Sequence, residues 1–299
     1  MQPSAFATVL DGRDFLEGPR WHAGRLWLSD FYQHEVLAQD AAGGFEVVAR
    51  VPRQPSGLGW LPDGRLLIVS MLDQRLLRQE PDGSLVVHAD LSGLVQGPCN
   101  DMVVDECGRA YVGSFGFDLM AGALLATSCL VLVAPDGQTR RVADGLFFPN
   151  GCVITPDGRT LLVCETFGNR VSAFDVTSDG TLGPRRDWAV FGPAPGAGAM
   201  QDVRPQLSVG PDGAALDAEG CLWLADAIGR RLLRVREGGA ILDEFPTGAM
   251  QVFACALGGP ERRTLYACVA PDSLAQAQQG AGTAALWSLE VTVPGAGRP

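Results

Sequence analysis

The chain of 299 residues holds only three histidines, at positions 22, 34 and 88, no run of basic residues, and no apolar stretch near the length of a bilayer span. Each shortage removes a class of protein. A His-based zinc centre or a Ser-His-Asp triad needs an imidazole beside a ligand set or a nucleophile. His22, His34 and His88 instead sit beside turns or in segments that read as outer strands, so structural roles are expected for all three. Twenty-three Lys and Arg against 34 Asp and Glu leave a net charge of −11, which makes nucleic acid and anionic membrane poor partners. The first residues, MQPSAFATVLDGRDF, lack the basic and apolar regions of a secretory leader, so a cytoplasmic protein acting on a small molecule is expected. The eight cysteines (99, 107, 129, 152, 164, 221, 255 and 268) lack the close pairing of a zinc site and read as reduced core thiols. Spacing alone does not say whether neighbouring strands share a disulfide. No long segment shows helical periodicity, which argues against a parallel α/β fold.

What is abundant is punctuation. With 38 Gly, 20 Pro and 46% hydrophobic residues, the composition is that of a globular chain of many short strands and turns. One pattern recurs: a loop, an apolar strand, a Gly-containing turn and a second apolar strand. Its copies are EGPRWHAGRLWLSDF from Glu17, SGLGWLPDGRLLIVSM from Ser56, NDMVVDECGRAYVGSF from Asn100, NGCVITPDGRTLLVCET from Asn150 and DGAALDAEGCLWLADA from Asp212. A weaker sixth copy, FACALGGPERRTLYACVA, starts near Phe253. A further hairpin follows each of the first five copies, so each unit is four strands of about 40 to 60 residues, the proportions of a propeller blade. The sixth unit ends in AALWSLEV, one strand short, and AFATVL near the N-terminus supplies the missing strand, which removes an open sheet edge. The expected fold is all-β: one six-bladed β-propeller over residues 1–299, closed by strands from the two ends of the chain.

In the first five copies the offset from the leading polar residue to its turn glycine is constant. Ser56 to Gly64, Asn100 to Gly108, Asn150 to Gly158 and Asp212 to Gly220 are each 8 residues, and Glu17 to Gly24 is 7 across a shorter turn. Equal offsets put these residues at equivalent points of successive innermost strands, where they converge on the axis. Taken singly, each reads as a turn former or strand-end cap. Taken together, two carboxylates, two amides and a hydroxyl form an all-oxygen set suited to a hard divalent cation. Without a cation, carboxylates crowded there would repel and raise one another's pKa.

The series EGPRW, ND in blade three, FPNG in blade four and PDGAALDAEGCLWLAD in blade five resembles the SMP-30/gluconolactonase/luciferin-regenerating family of six-bladed propellers, in the same order and over nearly the whole chain. The resemblance implies a divalent cation held by Glu17, Asn150 and Asp212, calcium first with magnesium, manganese or zinc as alternatives, and Asn100 close by on the substrate side. It makes Asn150 a metal ligand, with Gly151 expected to allow a tight backbone turn. One departure stands out. Sugar-lactone hydrolases of the family resemble Arg-x-Asn-Asp in blade three, where the Arg binds substrate, whereas this chain reads Pro98-Cys99-Asn100-Asp101. The apolar run FGFDLMAGALLATSC that follows suggests a less polar substrate wall, or simply blade packing.

The expected activity is hydrolysis of a lactone, with the cation polarising the carbonyl and positioning or acidifying a water. Asp212 is the expected base and Asn100 the donor to the developing oxyanion. The Gly/Pro-rich insertion at 191–210 reads as a lid or as a passive excursion, and within it Gln201 and Arg204 are the polar groups expected to touch substrate. Two alternatives share the site: hydrolysis or isomerisation of a non-sugar substrate, and a non-catalytic binding module stabilised by metal. Asp30, Glu165 and Asp226, at the ends of second strands, are expected to serve turns or surfaces, and Trp21, Trp27, Trp60 and Trp223 to pack blades.

Overall fold

In a computed structural model, which describes residues 6–297, six antiparallel sheets of four strands each form a ring. Their innermost strands are Leu16–His22, Pro55–Trp60, Cys99–Val104, Pro149–Ile154, Pro211–Leu216 and Gln251–Gly258, for blades one to six in turn. The repeat read from the turns is the blade. The chain runs outward within each sheet, and blade six takes its outermost strand, Ala7–Arg13, from the N-terminus, where it pairs with Ala284–Glu290. The ring closure expected from AFATVL is present, although Ala5 lies outside the described residues.

Apolar side chains of adjoining sheets interdigitate between blades. Val153, Leu162 and Val171 of blade four, for example, pack on Leu216, Leu222 and Leu233 of blade five, all nearly inaccessible to solvent. All eight cysteines are free thiols and seven are buried. The tryptophans do pack blades: Trp21 stacks on Tyr266, and Trp27 meets Trp60 edge-on. His22 lies flat on Trp60, with ring centroids 3.9 Å apart. Among the described residues no helix is long and apolar enough to cross a membrane.

A common irregularity marks the inner strands. Each breaks register with its neighbour early in its length: between Glu17 and Arg20, Pro55 and Leu58, Cys99 and Met102, Pro149 and Cys152, Pro211 and Ala214, and Val252 and Ala254. A bulge adds a residue to one strand and re-aims the side chains around it. The repeat residues Ser56, Asn100, Asn150 and Asp212, together with Phe253 in blade six, fall inside their bulges, and Glu17 is the paired residue at the edge of its own.

The bulges bring neighbouring inner strands very close, and this accounts for the glycine that follows most of the axial residues. A Cβ on Gly57 would stand 2.5 Å from the Met102 amide nitrogen, and one on Gly151 would strike the Asp212 carbonyl oxygen. Gly151 lies within a strand and does not have a positive φ. The tight turn expected of it is therefore replaced by a steric requirement, namely close approach of the next blade.

Candidate functional site

The bulges of blades one, three, four and five turn Glu17, Asn100, Asn150 and Asp212 into one cavity of about 270 Å³ on the axis. All four are buried. Ser56 is not in its lining. Its hydroxyl points at the Asn100 Oδ1 at the long distance of 3.5 Å, so it sits behind the site and supports an amide. That leaves Asn100 Nδ2 buried without a partner.

The Asn150 amide is oriented by a short relay. The Thr166 hydroxyl donates to the Pro211 carbonyl at 3.0 Å, so what it receives from Asn150 is a donated N–H, from Nδ2 at 3.2 Å. Oδ1 is thereby the atom left for the cavity. Glu17 Oε2 accepts the Gly18 N–H at 2.9 Å, and Asp212 Oδ1 is buried with no hydrogen-bond partner. Burial pushes the Glu17 carboxyl up to about 8, against the pull of the Gly18 N–H, with Asp101 adding to the rise and Arg20 opposing it. Asp212 is raised well above the usual carboxylate range, first by burial and then by the charges of Glu17 and Asp101.

These features fit a cation. Two carboxylates that are costly to ionise, a lone carboxylate oxygen and an amide oxygen fixed toward the same space make a set of hard donors that a divalent cation would satisfy. No group of three or more His, Cys, Asp or Glu side chains able to hold a metal occurs among the described residues, so the set depends on its amide.

The axis is closed below this floor. Arg20 of blade one crosses it, donating to Asp101 Oδ1 at 2.5 Å, to the Met102 carbonyl at 2.8 Å and to the Pro19 carbonyl at 3.0 Å. On its far side Arg20 borders a void of about 20 Å³ and a pocket of about 330 Å³ beside Trp60 and Val103, and neither shares a lining residue with the axial cavity. The cavity is a cup rather than a tunnel. The residues equivalent to Arg20 in blades two to five are Gly59, Val103, Val153 and Ala215. A single arginine in a column of small and apolar residues was the available signal for this plug, and motif reading passed over it. Thr166 carried no comparable signal.

The walls are apolar. The run after Pro98 that suggested a less polar wall contributes Phe115, Leu119 and Met120, and Pro98 itself faces the cavity. Arg204 stands at the mouth, whereas Gln201 is exposed on the short helix α1 (Met200–Val203) and is not part of the lining. The 191–210 insertion is fastened at both ends. Asn169 Nδ2 donates to the Pro193 and Gln206 carbonyls at 2.9 and 3.0 Å, its Oδ1 accepts the Ser208 N–H at 2.7 Å, and Val203 is fully buried.

Asp30, Glu165 and Asp226 do serve turns, but none is at the surface: all three are fully buried. Asp226 Oδ1 accepts the N–H groups of Gly210 and Gly229, both at 2.9 Å, and Glu165 Oε2 accepts that of Phe147 at 2.8 Å. Asp30 likewise receives the Phe15 N–H at 3.2 Å. Asp30 and Asp226 also accept N–H groups of the outer turn, from Gln33 and Gly229, and Glu165 accepts the Ser172 hydroxyl of the third strand, so each carboxylate ties the loop that leads into an axial strand to the outer part of the same blade. These three acids set the rim of the cup.

Such a ring, with acid and amide oxygens from separate blades meeting at a closed axis, defines a class of six-bladed propellers with a polar-floored cavity at one mouth. Within that class the chain belongs to the SMP-30/gluconolactonase/LRE-like family, whose sequence profile matches residues 15–270. Among curated proteins it is 28% identical to a 6-deoxy-6-sulfogluconolactonase of Pseudomonas putida, over 95% of this chain and 93% of that one. It is 26% identical to a pentonolactonase of Haloferax volcanii, over 95% and 92% respectively. Among solved structures, a calcium-binding regucalcin of Agrobacterium tumefaciens superposes with a TM-score of 0.77 at 23% identity, covering 98% of this chain and 97% of that one. That likeness is one of fold.

Proposed function

We propose that this protein is a carboxylic ester hydrolase that opens lactones with the help of a divalent cation, calcium first, held by Glu17, Asn150 and Asp212. The observation that carries the reading is the buried pair Glu17 and Asp212, both raised and one with an unpartnered oxygen, at the base of a closed cup. The full-length similarity to two lactonases supports the reaction class. A cation bound there supplies a Lewis acid for the ester carbonyl and a more acidic water.

The remaining steps fall to the chain's own groups. Asn100 Nδ2, a buried donor lacking a protein partner, receives the carbonyl oxygen as it gains negative charge. Water adds to the carbonyl carbon while the Asp212 carboxylate, through the oxygen not given to the cation, takes its proton. The ring C–O bond then breaks, and the proton passes to the departing alkoxide, giving an open hydroxy acid. The Arg20–Asp101 plug keeps bulk water from reaching the floor from the far side. Chelator-stripped protein assayed on lactones with a pH indicator is expected to be inactive and to recover on adding calcium. Equal rates with and without metal would refute the cation's role.

A further inference from the structure

Above the polar floor stand two aromatic groups that face each other across the axis. Blades six and one contribute Phe15, Phe31, Tyr32 and Phe253, with the Phe15 ring centroid 5.1 Å from Phe31, 5.8 Å from Tyr32 and 4.7 Å from Phe253. Blades three and four contribute Phe115, Phe148 and Phe167, with Phe148 at 4.3 Å and 4.9 Å from its two neighbours. All seven rings line the cavity.

Phe148 holds its place at a backbone cost. Its φ of +59° is unusual for a bulky side chain, and strain of this kind persists only where the surroundings enforce it. Here the Phe148 carbonyl accepts the Thr166 N–H at 3.2 Å, and the neighbouring Phe147 N–H is held by Glu165. The fold thus spends backbone strain on setting one ring into the wall.

The polar groups of the wall are few, and several are already engaged. The Tyr32 hydroxyl donates to the Ser273 carbonyl at 2.8 Å, and the Thr166 hydroxyl is committed to Pro211 and Asn150. Gln54, Gln251, the Ser273 hydroxyl and the mouth residue Arg204 remain for a ligand. A polyhydroxylated lactone has a hydroxyl on nearly every ring carbon, and hydroxyls taken out of water need partners that this wall does not supply. An apolar ring or chain needs none and is favoured by its removal from water.

We infer that the substrate is a lactone bearing an aromatic or aliphatic group, seated between the Phe15 and Phe148 clusters with its carbonyl toward the floor, and that sugar lactones are poor substrates. This rests on the lactone-hydrolase reading and narrows it. The test uses the calcium-loaded protein with gluconolactone, a series of δ-lactones of rising alkyl length and the aryl lactone dihydrocoumarin. Calorimetric binding of the unreactive lactam counterpart of dihydrocoumarin is measured alongside. The aryl and long-alkyl lactones are expected to exceed gluconolactone in kcat/KM by about 100-fold or more, with a severalfold gain per added methylene. Phe148→Ala is expected to lower kcat/KM for the aryl and long-alkyl lactones by about tenfold, and an unchanged value would overturn the inference. Gluconolactone turned over as well as or better than the apolar lactones would overturn the inference and leave lactone hydrolysis standing. Tight lactam binding with no lactone hydrolysed would overturn the hydrolase reading and keep the apolar ligand class. Failure of the lactam to bind, with no apolar lactone turned over, would overturn the inference.

Discussion

The Arg20 guanidinium reaches from blade one to Asp101 on blade three, 2.5 Å between Nη2 and Oδ1, and both side chains are buried. Blade two stands between them in the ring. The contact is possible because blade two carries Gly57 there: a Cβ at that position would lie 2.8 Å from Asp101 Oδ1. One ion pair thus plugs the axis and puts a compensated charge beneath Glu17 and Asp212. Removing only the guanidinium, in Arg20→Met, leaves Asp101 buried and unpaired, and is expected to cost about 3–5 kcal/mol in urea unfolding. The double variant Arg20→Met/Asp101→Asn should recover at least half of that loss, and a single variant as stable as the parent would show that the pair carries no such weight.

The raised carboxyls make stability depend on pH in a definite direction. Folded, metal-free Glu17 holds its proton up to about 8, whereas the unfolded chain releases it near 4.5. Between those values the folded state binds more protons, so this group's contribution falls as pH rises. Thermal melts in chelator are expected to show a lower Tm at pH 8 than at pH 5. Calcium must displace these protons to bind, so its affinity should increase over the same range and its stabilising effect should be greatest at the alkaline end. A chelated protein whose Tm climbs steadily from pH 5 to pH 8 would contradict this.

Asp212→Asn separates catalysis from scaffold. The amide mimics the protonated carboxyl, so the metal-free variant at pH 8 should melt at or above the parent temperature, while lactone turnover falls by about 10²-fold or more as the base is lost. Loss of folding without any activity in the parent would favour a metal-stabilised binding module.

Gly151→Ala pushes a methyl group against the Asp212 backbone. Overpacking of this kind costs about 1–3 kcal/mol, and because the clash falls on a proposed ligand, calcium affinity should drop as well. Calorimetry on the folded fraction reads the second effect apart from the first.

Pro98→Arg places a guanidinium on the cavity wall at the position where the family resemblance implies an arginine for sugar lactones. Turnover of gluconolactone is expected to rise and that of apolar lactones to fall. A change in neither direction would mean that Pro98 has no part in selectivity.

Periodicity carried most of this molecule. The Asp-Gly and related turns, the alternation of apolar residues and the missing last strand were enough for six blades and for ring closure, because a hairpin's geometry is set within a few neighbouring residues. The constant offset was enough to gather Glu17, Asn100, Asn150 and Asp212, since a repeat places equivalent residues at equivalent radii. Tertiary structure decided the rest. That Ser56 turns to Asn100, that Gly151 answers to the backbone of the next blade, that Arg20 meets Asp101 across the axis, and that seven rings from four blades form one wall are all contacts between residues far apart in the chain. No local pattern encodes such distances; they exist only once the six inner strands have closed around a common axis.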